Sequence, residues 1–386
     1  MLHVSPTGRV MPAAAVALGL RCLAAVLFLS PPPALAQDGR YHVLIETADQ
    51  PGPSAAYAAA ATYDTARRTF VIAGGFDPPN KNAPRVLLQY DLHHGTWSTT
   101  EFADPSPDAM GKPATVYDSQ RDALFLFGGW APGATEPSDQ LWTMPLAGDG
   151  APSWQLVDVG QLQPPPRNGC VMVLDQQGDR LVVHGGDGGS HPTYGFTPLD
   201  DLWAFDLTKQ RWSRLNPRGQ APEARWNHAG TVDHEKRKMF IFGGSGHIDG
   251  EVVRDNCVFE LDLDSLAWTR HAVRGDPPTP LMGATMTYDV FAHVLVVVGG
   301  LSLADAGPAG SRSLWLFDLN NNTWIEYPDL FATTRRDHTA IYDRSGRRHL
   351  VHGGMSAAQR GNYYAYGEPL HDTVLIFIIP KLRIPL

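Results

Sequence analysis

The sequence has 386 residues, with 31 Lys and Arg against 40 Asp and Glu and a formal net charge of −9. That acidic balance excludes a basic nucleic-acid groove or a polybasic membrane patch. Length alone suggests two or more domains, and three cysteines do not make a disulfide framework.

Residues 1–36 differ in character from the rest of the chain. Arg9 gives a weakly basic start, an apolar stretch runs from Pro12 to Leu29, and Ala34-Leu35-Ala36 is a small-x-small site before Gln37. This order is that of a secretory signal peptide cleaved after Ala36. The apolar run after Arg21 is too short to span a bilayer. The expectation is a secreted or periplasmic protein with one domain over residues 37–386. Removing the leader removes two arginines and no acid, which deepens the net charge to −11. No later segment is long and apolar enough to be a membrane span. Of the two cysteines left, Cys170 and Cys257, the favoured reading is buried free thiols.

The run Tyr41-His42-Val43-Leu44-Ile45 comes next, ahead of a repeated pattern. A Gly-Gly pair recurs at 74–75, 128–129, 185–186, 243–244, 299–300 and 353–354, in steps of 54, 57, 58, 56 and 54 residues. A short apolar, β-branched or aromatic run precedes each pair, as in Leu124-Phe125-Leu126-Phe127, and reads as a buried strand. Ten residues before each first glycine stands an aspartate: Asp64, Asp118, Asp175, Asp233, Asp289 and Asp343. Their carboxylates suit a hairpin turn, because they accept hydrogen bonds from nearby backbone N–H groups. After each Gly-Gly comes a polar loop, then a strand such as Asp201-Leu202-Trp203-Ala204-Phe205-Asp206-Leu207. A tryptophan follows in five units, at 97, 154, 212, 268 and 324. A large ring at that spacing suits the dry contact between neighbouring sheets.

A period near 50 with these features is a repeat architecture. The Gly-Gly after an apolar strand, the Asp-Leu-Trp-x-Phe-Asp-Leu string and the spaced tryptophan resemble the kelch motif over nearly all of residues 41–379. The resemblance implies an all-β fold, a six-bladed kelch β-propeller with four antiparallel strands per blade around a central channel. The sixth unit lacks its tryptophan strand. Counting back 31 residues from Gly74 lands on Val43, so the N-terminal strand is expected to close the last blade. The resemblance also implies that the loop after Gly-Gly and the segment leading into each unit open on one face, where binding is expected.

The candidate ligand contacts lie there. Eighteen residues before the first glycine stand Arg167, Arg225 and Arg335; near them are Asn227, His228, Asp337 and His338. Arginine matches a carboxylate or another anion through paired hydrogen bonds. The same arginines would equally hold loop carbonyls and carboxylates of neighbouring blades, and that structural reading is favoured. The loops after Gly-Gly add Trp130, Asp187, His191, Tyr194, His247, Tyr363 and Tyr364, residues that make adaptable contact surface.

The motifs of zinc proteases, paired Cys-x-x-Cys sites, phosphate loops and hydrolase elbows do not occur, so neither metal nor cofactor is expected. Similarity to the central domain of galactose oxidase does not extend to a copper ligand set. Similarity to six-bladed sialic-acid mutarotases is limited to the kelch frame, size and export. The sequence therefore reads as an exported, monomeric, non-catalytic module that binds a protein or carbohydrate through its loop face. The alternative is an enzyme acting on a small acidic sugar by proton transfer, with a histidine as acid or base and arginines on the carboxylate.

Overall fold

The computed structural model describes residues 40–381 except 51, 54–56, 77–84, 103, 109, 148–151, 191–194, 249–250, 254, 303–308 and 359–364. The described chain is all β, in six four-stranded antiparallel blades. Their innermost strands are Tyr57–Asp64, Ala114–Asp118, Val171–Asp175, Ala229–Asp233, Thr285–Asp289 and Thr339–Asp343. Each lies beside the next, and the sixth lies beside the first, so the ring is closed. No helix among the described residues is long and apolar enough to cross a membrane.

The last blade is completed from the start of the chain. Strand Tyr41–Thr47 pairs antiparallel with Thr373–Pro380, which pairs with Arg348–His352. The register differs from the count by two residues. In blades 1, 3, 4 and 5 the tryptophan is reached through the residue four before the first glycine. In blade 6 that path runs His349, Ile376, Ile45, so Ile45 and not Val43 takes the tryptophan's place. Two residues are one side-chain period, and both residues pack on the same cluster, with Val296, Val298 and Leu316.

The aspartate turns form as their chemistry requires. Asp64 accepts N–H bonds from Ala66 and Arg67, both at 2.9 Å, and Asp289 from Phe291 and Ala292, also at 2.9 Å. Four of the five tryptophans sit between blades, against the residue just ahead of the preceding blade's glycines. Trp212 meets Phe127 with ring centres 5.1 Å apart, Trp324 meets Phe242 at 5.1 Å, Trp268 meets His184 at 5.3 Å and Trp97 meets His352 at 4.5 Å.

The glycine pairs explain themselves at Gly128 and Gly129, with φ of 69° and 101°. A Cβ on Gly128 would strike the carbonyl oxygen of Arg167 in the next blade, and the Gly129 N–H donates to that same oxygen at 2.9 Å. Gly75, Gly186, Gly244 and Gly300 make the same bond to Met110, Arg225, Leu281 and Arg335. The left-handed backbone and the close approach both favour glycine.

Because the ring closes through one strand, its removal acts on the whole molecule. Deleting residues 41–47 withdraws Tyr41, Val43 and Ile45 from the core, a loss of about 4 kcal/mol or more. Thermal unfolding monitored by circular dichroism is expected to stay a single transition, with Tm lower by about 5 °C or more.

Candidate functional site

The segments leading into the blades and the loops leaving the glycines meet on one face, as short bridges record. Gly111 pairs with Trp130, Asn168 with Asp187, Trp226 with Ser245 and Arg336 with Met355. Between these segments, at the channel mouth, lies a second inter-blade feature. Sixteen residues before each first glycine stand Ala58, Lys112, Gly169, Asn227, Gly283 and Asp337, and all six have φ between 51° and 66°. Each N–H donates to the carbonyl of its counterpart in the preceding blade, and Ala58 donates to Asp337. The six bonds, 2.7 to 3.0 Å long, form a closed hoop.

Side chains converge above the hoop from alternate blades. The Lys112 ammonium lies 3.1 Å from Asp337 Oδ1, the Asn227 amide donates to the same oxygen at 3.1 Å, and Arg336 Nη1 reaches Asp337 Oδ2 at 2.6 Å. Burial raises the Asp337 carboxyl pKa, but Lys112 and Arg336 outweigh it and hold the group below the usual carboxylate range. Lys112 also sits 5.0 Å over the Trp226 ring, a cation–π arrangement. Lys112, Asn227 and Asp337, with His228 and His338, line a cavity of only about 110 Å³.

Of the three buried arginines, Arg167 and Arg225 are fully engaged and Arg335 only in part. Arg167, fully buried, makes paired bonds of 2.6 and 2.9 Å to Asp201 and donates to the carbonyls of Gly185 and Pro165. Arg225 repeats this with Asp255, Gly243 and Glu223. Arg167 and Arg225, satisfied in this way, are fasteners within their own blades. Arg335 bonds Asp372 at 2.6 Å, while its Nε and Nη1 are buried without a partner among the described residues.

The histidines are buried and neutral. His228 Nε2 lies 3.2 Å from His184 Nδ1, which requires one nitrogen to donate and the other to accept. His338 Nε2 lies 2.8 Å from the Thr285 hydroxyl and His352 Nδ1 3.0 Å from the Thr373 hydroxyl. Burial, with Arg225 close to one and Arg335 close to the other, pushes His184 and His338 down to about 3. Burial likewise takes His352 to about 4.

The loop candidates divide. Asp187 is buried and caps its own loop, accepting from Gly189 at 3.1 Å and Thr197 at 2.8 Å. Trp130 is half-exposed at the base of the second loop. His247 is on the short strand Gly246–Ile248, its side chain outside the described residues. His191, Tyr194, Tyr363 and Tyr364 also fall outside them. The structure adds residues that sequence reasoning missed. Lys112 completes the charge cluster, and half-exposed rings pair around the mouth, Phe196 with Trp226 at 5.4 Å and Tyr57 with Phe76 at 5.5 Å. Comparing all six units sixteen residues before Gly-Gly would have revealed Lys112. Cys170 and Cys257 are unbridged.

Comparison with known proteins gives a matching family described as the KLHDC2/KLHL20/DRC7 Kelch-repeats domain, over residues 42–244 and 188–371. Acyl-CoA-binding domain-containing protein 5 of Arabidopsis thaliana is 32% identical over 50% of this chain and 28% of its own length. The Rab9 effector protein with kelch motifs of Homo sapiens is 28% identical over 44% of this chain and 43% of its own. The chain thus spans well under half of these relatives. A solved structure titled "Structure of YjhT" superposes with a TM-score of 0.63 at 16% identity, covering 86% of this chain and 99% of that one; this is likeness of fold.

The electrostatics of the site set two expectations. In the unfolded chain histidines titrate near 6.5, whereas His184, His338 and His352 accept protons only near pH 3 to 4. Their contribution is complete above about pH 6.5 and is lost as pH falls toward the folded values, by up to about 1.4 kcal/mol per pH unit for each. Urea midpoints should therefore drop steadily from pH 6.5 to 4.5, and His338→Gln should make that slope shallower by one proton. Asp337→Ala removes the buried carboxylate that Lys112 and Arg336 share and should cost about 3–5 kcal/mol. Lys112→Met, at a partly exposed site, should cost less than about 1.5 kcal/mol.

Proposed function

We propose that this chain, which belongs to the kelch-repeat β-propeller family, is a non-catalytic recognition module that binds a protein through its loop face. The observation that carries this reading is the pairing of a rigid floor with partly exposed aromatic rings. The hoop and the charge cluster over it fix the mouth, and Trp130, the Phe196–Trp226 pair and the Tyr57–Phe76 pair stand around it half-exposed. Aromatic rings on a preorganised surface are the usual anchors of protein interfaces. A relative named as a Rab9 effector with kelch motifs supports the same use of the fold.

The rival reading, proton transfer on an acidic sugar, needs a free arginine for the carboxylate and a histidine that titrates near neutrality. Arg167 and Arg225 are committed to Asp201 and Asp255, Arg335 is buried against Asp372, and His338 is held near 3. A mouth cavity of about 110 Å³ is also well below the several hundred Å³ usual for a ligand pocket. The leader-like residues 1–36 support an exported module whose partner is an extracytoplasmic protein; a glycan is the second choice, favoured by the tyrosines of the sixth loop.

The test is capture of partners from envelope and extracellular fractions by the wild-type chain and by a Trp130→Ala, Tyr363→Ala, Tyr364→Ala triple variant, followed by affinity measurement. Trp130 is only half-buried, so the variant should keep the wild-type Tm and lose at least tenfold in affinity. Equal affinity, or acceleration by the wild-type chain of anomer exchange in a sialic acid followed by NMR, would replace this reading.

A further inference from the structure

Farther along the channel from the hoop, the six innermost strands enclose a second and larger space of about 510 Å³. One of its ends lies toward the hoop and the cluster of Lys112, Asn227 and Asp337. At the other end are the hairpin turns, where Ser119, Glu235 and Arg344 stand exposed to water. The channel is therefore a cup with its mouth on the face opposite the recognition loops.

The phenol hydroxyls in its wall, and those of Thr62 and Thr287, are already used. Tyr63 donates to Asp343 at 3.0 Å, Tyr117 to Asp122 at 2.8 Å and Tyr342 to Asp289 at 2.9 Å, while the Tyr288 hydroxyl lies 2.7 Å from His293 Nδ1. The Thr62 hydroxyl accepts from the Tyr117 N–H at 3.0 Å, and the Thr287 hydroxyl lies 2.7 Å from His349. What remains for a guest is the apolar surface of residues such as Met172, Met286 and Ile341, together with phenol rings and, toward the turns, a few polar side chains such as Thr65 and Ser119. Each innermost strand also pairs on one side only within its blade, which leaves backbone N–H groups along the channel. Aspartates behind the phenols disfavour an anion, and they contribute, after burial, to raising the phenol pKa values of Tyr288 and Tyr342. Across the mouth, Glu235 of blade 4 and Arg344 of blade 6 form an ion pair of 2.6 Å. Both are well exposed, so parting them costs little.

We propose that this cup binds an uncharged aromatic small molecule with a carbonyl acceptor, admitted between Glu235 and Arg344. Its volume is in the range of small-molecule sites, which combine a mostly apolar wall with a few polar groups. Apolar wall and rings take the body of the guest, and free strand-edge N–H groups take its oxygen.

The probe is prodan, an uncharged naphthyl ketone whose emission moves to the blue on leaving water, titrated against the full chain. One saturable site with blue-shifted emission is expected. Thr231→Trp, which fills the lining, should weaken binding at least tenfold. Leu156→Trp adds the same ring on the exposed outer strand of blade 2 and should leave affinity unchanged. Ser119→Trp narrows the mouth at an exposed turn and should slow association several-fold. The proposal is overturned if the wild-type chain gives no saturable signal, or if a folded Thr231→Trp binds as tightly as wild type. Should Thr231→Trp not fold, an unchanged association rate in Ser119→Trp overturns it instead.

Discussion

The contact on which this protein depends is the passage of backbone from one blade to the next. A four-stranded sheet of about 25 residues buries too little apolar surface to be stable alone, so each blade relies on its neighbours' faces. Side-chain packing supplies most of that energy, but non-directional packing would let the blades slide. Two sets of directional bonds prevent it. The second glycine of one blade donates to a carbonyl of the next, and the left-handed residues form the hoop. Both sets require φ > 0 at fixed positions, and both are spaced identically from blade to blade. Their regularity fixes the angle between blades, and the angle fixes how many blades close the ring.

Charge is used in the same way. At the turn end Arg67 makes paired bonds of 2.7 Å to Asp122 in the next blade, and Arg121 makes bonds of 2.6 and 2.9 Å to Asp179 in the one after. At the loop end Lys112, Asn227 and Asp337 tie blades 2, 4 and 6 across the mouth. The charged groups that a reader of the sequence would assign to ligands are largely consumed in holding blades. Removing a partner from such a buried cluster costs more than the cluster contributes, so these positions tolerate little change.

This division explains what was legible in the sequence. Gly-Gly, the turn aspartates and the tryptophans are local demands of backbone conformation and packing, repeated six times, and repetition makes them visible. The closing strand was visible because one unit lacks its outer strand, although its register had to be seen, since the chain shortens the interval to 29 residues at Ile45 just as it does at Trp324. The roles of Arg167, Arg225 and Arg335 were ambiguous for a physical reason. Their partners Asp201, Asp255 and Asp372 lie 30 to 37 residues away, beyond loops of unequal length, so no fixed spacing links acid to base. Lys112 stands outside the repeated pattern, and only aligning the six positions sixteen residues before Gly-Gly sets it beside Asn227 and Asp337, with which it converges across the axis.

The two ends of the channel therefore have different prospects for function. At the loop end the backbone hoop is complete, the ion pairs are internal and the nearby histidines are held neutral, so the floor is rigid and chemically quiet. Such a floor suits the presentation of loops, because a partner then pays for ordering side chains and not the scaffold. At the turn end the innermost strands have a strand neighbour on one side only, the walls are largely apolar and the mouth is spanned by the exposed Glu235–Arg344 ion pair. A closed ring built from identical ties must leave an axial space, and here only one end of that space is sealed by hydrogen bonds. The sealed end sets the geometry of the recognition face, and the open end is where the same geometry leaves room for a guest.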